Sequence, residues 1–319
     1  MAEAGVWRKA AGRNDGRKKR MTERPQPDVG RNRECDTARW KMEKVQAVVV
    51  TYNRKELLCE CLDAILAQTY PVEKVIVIDN CSTDGTKDCL REKGYLDDPA
   101  VVYKRLKENT GGAGGFHAGM KVARDSHPDW VWIMDDDTIP TPDCLKELIL
   151  ARQEIDGRVS FLASSVRGMN GEAMNVPKIR RDQFMKYTDW YGYLDKGMVQ
   201  IVKATFVSLL INIEAIDACG LPWKDFFIWG DDSEYTQRII RDYGPAYMVG
   251  KSLTIHKRAS SDELSIVKET NENRIPLYYY YYRNNLIGFW EYEGWLYRFL
   301  CVGKLGYDSA GVILKGKHK

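Results

Sequence analysis

No stretch of this 319-residue chain approaches the roughly 20 consecutive apolar residues that a bilayer-spanning helix needs. A membrane span is therefore without a candidate. The eight cysteines include no CxxC pair; Cys59 and Cys61 stand only two apart. That spacing suits neither a zinc ribbon nor a disulfide framework, and it points to a reduced, cytosolic compartment. Internal repeats are absent. The basic residues, finally, lack a folded face to occupy. Residues 1–41 hold twelve Lys/Arg against six Asp/Glu and carry +6, while the remainder carries −3. That segment shows no apolar periodicity, so it reads as a disordered basic tail rather than a nucleic-acid surface. It also lacks the apolar stretch of a signal peptide and is too acidic for a typical transit peptide. Met42 stands directly before the first credible strand. Residues 1–41 are accordingly either a native tail or upstream sequence read into the chain.

What is present suffices for a large core: 44% of the residues are hydrophobic and 29% are charged. From Val45 onward strand and helix patterns alternate. "VQAVVVTYN", "KVIVIDN", "AVVYKRL" and "DWVWIMDDD" read as four strands. Between them, Leu58, Leu62, Ile65 and Leu66 mark one apolar helix face, a second helix runs to about residue 93, and "KENTGGAGG" reads as a loop before a helix starting near Phe116. Thr141 and Pro142 read as the N-cap and first residue of a helix to about 154. This order predicts an α/β fold with a mainly parallel sheet, whose ligand lies beyond the carboxyl ends of the strands. The polar groups "TYN", "DN", "ENTGG" and "DDD" fall at those ends. Further on, "VSFLASSVRG" and "IVKATFVSLLINI" read as strands, "DDSEYTQRIIRDYG" as a helix, and "AYMVG" and "SLTIHK" as two short strands. From Arg274 the chain is aromatic and helical, with five consecutive tyrosines, Tyr278–Tyr282.

The three aspartates Asp135–Asp137 end the apolar run Trp130–Met134. Like charges that close repel, so a positive partner is expected beside them. Strand alternation would point Asp135 and Asp137 together and Asp136 away. Two hard oxygen ligands suit Mg²⁺ or Mn²⁺; the plainer alternative is a solvated acidic turn with Asp137 capping the next helix. The glycines of "ENTGGAGGFHAG" would let backbone approach a phosphate or sugar, although the segment is neither a dinucleotide fingerprint nor a P-loop. In "FFIWGDDSEYTQRI" the carboxylates at 231, 232 and 234 either serve the helix dipole or include a general base. His256, alone at a strand end, is either structural or a ligand.

"VVVTYNRKELLCECLDAILAQTYPVEKVIVIDNCSTDGT" resembles the opening of the family 2 inverting glycosyltransferases, which have the GT-A fold, and the resemblance takes in five motifs in order across roughly residues 44–290. "NTGGAGGFHAGM", "WIMDDDT" and "FFIWGDDSEYTQRI" are similar to the galactofuranosyl- and rhamnosyltransferase-like subgroup. The resemblance implies that Thr51, Asn53 and Arg54 line the nucleotide pocket and that Asp79 contacts the base or ribose. It places Gly111, Gly112, Gly114 and Gly115 along the nucleotide sugar, with Asp135 and Asp136 also at the donor. Asp135 and Asp137, completed by His256, would hold Mn²⁺ or Mg²⁺. Asp232 matches the catalytic base, and because Gly230 separates Trp229 from the aspartate pair, Asp231 could exchange roles with it. The implied enzyme moves galactofuranose or rhamnose from a UDP- or dTDP-linked donor to a glycan or lipid-linked acceptor. It would work in the cytosol, at the inner face of the cell membrane. The glycosyltransferase domain would span 42–270. Residues 271–319 would form a helical segment contacting a membrane surface, an oligomer partner or the domain itself. Two other classes stay open: a non-catalytic nucleotide-sugar or glycan-binding module, and a phosphohydrolase with an aspartate nucleophile. The second wants DxDx[TV], and here Thr138 falls one place short.

Overall fold

The structure, a computed structural model, describes residues 42–180, 190–258, 264–292 and 294–314. The tail expected over residues 1–41 lies outside the described residues. Strand β1 (Val45–Thr51) is buried along its whole length, because helices cover both faces of the sheet around it. Val45, Ala47 and Val49 face the core shared with helices α1 (Lys55–Leu66) and α4 (Cys144–Gln153), whereas Val48 and Val50 face α3 (Gly111–Arg124). The near-continuous apolar run of β1 is the consequence. Strand β2 (Lys74–Asp79), helix α2 (Thr86–Glu92), β3 (Val101–Arg105) and β4 (Trp130–Asp135) complete the parallel half of the sheet.

The second half is mixed. It holds β5 (Thr138–Pro140), β6 (Phe161–Arg167), β7 (Lys178–Ile179), β8 (Met198–Lys203), β9 (Leu209–Asn212) and β10 (Ala246–His256). Among the described residues the order is β3-β2-β1-β4-β9-β6-β10-β8-β7, with β5 antiparallel to β10. Helices α5 (Ile213–Cys219), α6 (Asp231–Asp242), α7 (Tyr278–Tyr292) and α8 (Trp295–Leu314) follow the chain order. The last two group with the sheet in one unit, Glu43–Lys319.

Four local expectations need correction. The "GGAGG" segment is not a loop: it forms the first turn of α3, so that helix begins at Gly111 rather than near Phe116. "AYMVG" and "SLTIHK" form a single strand, β10, whose pairing with β6 shifts register between Val249 and Leu253; a bulge absorbs the break that Gly250 and Lys251 suggested. "IVKATFVSLLINI" divides into β8 and β9. Helix α4 starts at Cys144, because the amide and hydroxyl of Thr141 both bond the Leu253 carbonyl in extending the β5–β10 pairing, which prevents Thr141 from capping.

Candidate active site

Register brings the polar strand ends together. Thr51 pairs with Asp79 and Val50 with Asp135, so β1, β2 and β4 finish side by side at the carboxyl edge of the parallel strands. There the positive partner expected for the aspartates is Arg54. Its guanidinium lies 3.2 Å from Asp136 and 2.8 Å from Asp137. Asp136 also accepts a hydrogen bond from the Thr51 hydroxyl at 2.7 Å. The alternation argument reached the right arrangement although β4 ends at Asp135: Asp136 turns toward Thr51 and Arg54, while Asp135, Asp137 and His256 converge. One ligand atom from each of those three lies within 4.8 Å of the others.

Burial raises Asp136 to about 6, against the opposing pull of Arg54 and Thr51. Burial and the neighbouring Asp137 and Asp136 carboxylates push Asp135 well above the ordinary range. Asp137 goes the other way: burial would raise it, but the hydrogen bond and charge of His256, with Arg54, outweigh burial and lower it. His256 Nδ1 lies 2.8 Å from Asn175 Oδ1 and Nε2 lies 3.1 Å from Asp137. A carbonyl oxygen only accepts, so Nδ1 carries a proton. A neutral ring then turns its Nε2 lone pair toward a carboxylate, an arrangement that a second ring proton or a bound cation resolves. Two carboxylates and one imidazole oriented through its other nitrogen form a donor set that fits Mg²⁺ or Mn²⁺. Asn175 was not visible as a functional residue in the sequence, since residues 168–200 carry no motif.

Asp79 is buried, and its oxygens accept from the Ser82 amide at 2.7 Å and the Tyr103 hydroxyl at 2.5 Å. Its visible work is to shape the turn after β2. Asn53, at φ 54°, does the same from β1: its side chain accepts from the Thr83 amide at 2.7 Å. Asn80, the second residue of the "DN" at the end of β2, links β2 to α3 by donating to the Gly111 carbonyl at 2.8 Å and accepting from Thr110.

The glycines divide by cause. A Cβ on Gly111, which has φ +70°, would lie 2.0 Å from the Phe227 carbonyl oxygen; one on Gly115 would lie 2.4 Å from Val50. A Cβ on Gly114 would meet Thr110 at 2.3 Å, whereas one on Gly112 meets nothing within 4 Å. Three of the four therefore answer to packing within the protein. Gly112 alone leaves open space at the helix start.

Asp231 and Asp232 open α6 directly after a strained segment in which Phe227, Trp229 and Gly230 have φ of 61°, 62° and 94°. Burial, then the Asp232 charge, raise Asp231 to about 8; its own charge in turn reaches Asp135. Burial also raises Asp232, but the Ser233 amide and the Lys203 charge oppose it. One buried side chain holds the strained segment: the Asn284 amide donates to the carbonyls of Phe226, Ile228 and Trp229 at 2.9, 3.1 and 2.7 Å. The Phe227 carbonyl accepts from Ala113 at 3.1 Å, so this segment bridges the glycine turn of α3 and the aspartate pair. Asn284 lies just beyond the five tyrosines, in the segment expected to contact a membrane surface, an oligomer partner or the domain itself. Asn284→Ala leaves buried carbonyls without donors, and urea denaturation should show a loss of about 1–3 kcal/mol.

The model of glycosyl transferase family 2 matches residues 46–207. The chain belongs to this family. Galactofuranosyltransferase GlfT1 of Mycobacterium tuberculosis is 31% identical over 202 residues, covering 62% of this chain and 65% of that protein. Its namesake from Mycolicibacterium smegmatis is 28% identical over 204 residues, covering 62% and 66%. The chain thus spans just under two thirds of the length of these relatives. Among solved structures, S. aureus TarS superposes with a TM-score of 0.51 at 18% identity, over 68% of this chain and 37% of that one. GalNAc-T7 with UDP, GalNAc and Mn²⁺ gives 0.55 at 15% identity, over 69% and 44%. This family 2 chain has the α/β GT-A fold, as the resemblance implied.

Proposed function

We propose that this family 2 chain is an inverting, metal-dependent galactofuranosyltransferase that moves the sugar from UDP-galactofuranose to a hydroxyl of a glycan or lipid-linked acceptor. The observation that carries the reading is the convergence of Asp135, Asp137 and His256 at the strand ends. The similarity to galactofuranosyltransferases favours that sugar over rhamnose. Structures of TarS with UDP and with UDP-GlcNAc support a uridine nucleotide. The presence of both candidate metal ligands and a candidate base also favours catalysis over a binding module, because binding alone needs no base.

Asp135, Asp137 and His256 would hold Mg²⁺ or Mn²⁺, which when bound offsets the negative charge of the departing diphosphate. Thr51 and Arg54 fix the orientation of Asp136 and Asp137. Gly112 gives the donor room beside the first turn of α3. Of the aspartate pair, Asp232 is the base. Burial raises both carboxyls, but the Ser233 amide and the Lys203 charge oppose the rise at Asp232, whereas Asp231 is raised to about 8. Asp232 takes the proton of the acceptor hydroxyl as its oxygen bonds to the anomeric carbon. The bond from that carbon to the diphosphate oxygen breaks on the opposite side, and the configuration inverts.

The test is transfer of labelled sugar to oligosaccharide acceptors from UDP-galactofuranose and dTDP-rhamnose. Transfer from the first with inverted configuration is expected. Transfer from dTDP-rhamnose alone would overturn the sugar assignment, and tight binding of either donor without turnover would favour the binding module. No described helix is long and apolar enough to cross a membrane. We place the reaction in the cytosol, where UDP-linked donors meet a lipid-linked acceptor at the membrane surface.

A further inference from the structure

Helix α8 runs for 20 residues and contains only one buried residue, Asp308. Its inward stripe, Cys301, Leu305, Asp308 and Val312, follows helical spacing, and Asp308 accepts from the Tyr282 hydroxyl of α7 at 2.7 Å. The opposite face should be polar if it met only water. It is not. Trp295, Phe299, Val302 and Ile313 fall on one line at spacings of four, three and eleven residues, and each is more than half exposed. Leu296, Leu300 and Leu314 form a parallel line beside it, also more than half exposed. The positions between are Gly303, Gly306, Tyr307, Ser309 and Ala310, so the outward face carries no charge along its length.

The charges stand at its margins. Arg298 and Lys304 flank the face on either side, Lys304 in an ion pair with Asp308 at 3.3 Å, and Lys315, Lys317 and Lys319 follow the helix in sequence. Residues 295–319 hold five Lys/Arg and one Asp. Trp290, at the end of α7, adds another exposed indole, with the Arg298 guanidinium 5.0 Å from its ring centre. Aromatic residues at an apolar boundary, with long basic side chains around it, suit the headgroup layer of a membrane.

We propose that the outward face of α8 lies in the surface of an anionic phospholipid membrane, parallel to its plane. Charge selects this occupant. A second copy would bring the same basic excess to the interface, whereas anionic headgroups neutralise it. The helix lies on the bilayer and does not cross it, in keeping with the fact that no described helix is both long and apolar enough for a span. This docking is independent of which sugar is transferred, and its test requires no turnover.

The experiment is flotation of the full chain with phosphatidylcholine vesicles and with mixed phosphatidylcholine–phosphatidylglycerol vesicles, for wild type and Phe299→Glu/Ile313→Glu. Both substituted positions are exposed, and circular dichroism checks that the variant is folded. Wild type should float with the anionic vesicles, float poorly with the neutral ones, and be released by salt. The double variant should lose at least about tenfold in vesicle affinity, as expected from removing two large apolar side chains from the boundary. Wild type that ignores anionic vesicles overturns the proposal, as does a variant that floats equally well. Light scattering that shows a dimer dissociated by the two substitutions, without vesicle binding, overturns it in favour of a second copy.

Discussion

Asp232→Asn lowers kcat by about 10²–10⁴-fold, the usual contribution of a general base, while donor affinity changes little. The amide keeps the shape of the side chain and its place beside the Ser233 amide, but it cannot accept the acceptor's proton. Asp231→Asn is the informative control. Burial and Asp232 hold Asp231 at about 8, so at neutral pH it is mostly a neutral acid, and asparagine is its near-isostere. Much more activity should survive there. The pH profile gives a second reading of the same claim. Burial raises Asp232, so the acid limb of kcat/KM lies above the ordinary carboxylate range, with activity falling as pH drops and the base is protonated. Single-turnover kinetics on both variants checks the assignment. A severe loss in Asp231→Asn with a mild one in Asp232→Asn would exchange the two roles.

Asp137→Ala has the second large effect. Asp137 is the residue on which the local network converges, accepting from Arg54 at 2.8 Å and facing His256 at 3.1 Å. Its removal takes away one of three candidate metal-binding side chains and leaves His256 Nε2 without its partner, while Nδ1 keeps Asn175. Metal-dependent donor affinity should fall by about 10²-fold or more, since even residues that only orient a ligand typically cost 10–100-fold. Asn175→Ala should weaken the same binding by about tenfold, because it frees the His256 ring to turn without removing a ligand atom. Metal titration followed by donor binding separates the two variants.

The parallel half of the fold was legible because each of its strands is a short apolar run closed by polar residues. Asp135, Asp137 and His256 were legible for a related reason: Asp135 and His256 close strands, and Asp137 stands two residues beyond the first of them. Regions shaped by tertiary contact were not. The start of α3 at Gly111 depends on the approach of the Phe227 carbonyl, 116 positions away in a different motif. Asn175 acquires meaning only through His256, and Asn284 only through three carbonyls more than fifty residues upstream. Neither residue has a local pattern that could have announced it. Most of the glycine turn, read as a surface for donor phosphates, is explained by Val50, Thr110 and Phe227, which leaves Gly112 as the position with open space.

Calorimetric titration of UDP-galactofuranose into wild type and Asp137→Ala, with and without Mn²⁺, tests the central claim most directly. The account predicts binding to wild type that requires the cation and is largely lost in Asp137→Ala. Binding that is indifferent to both the cation and the substitution would contradict it.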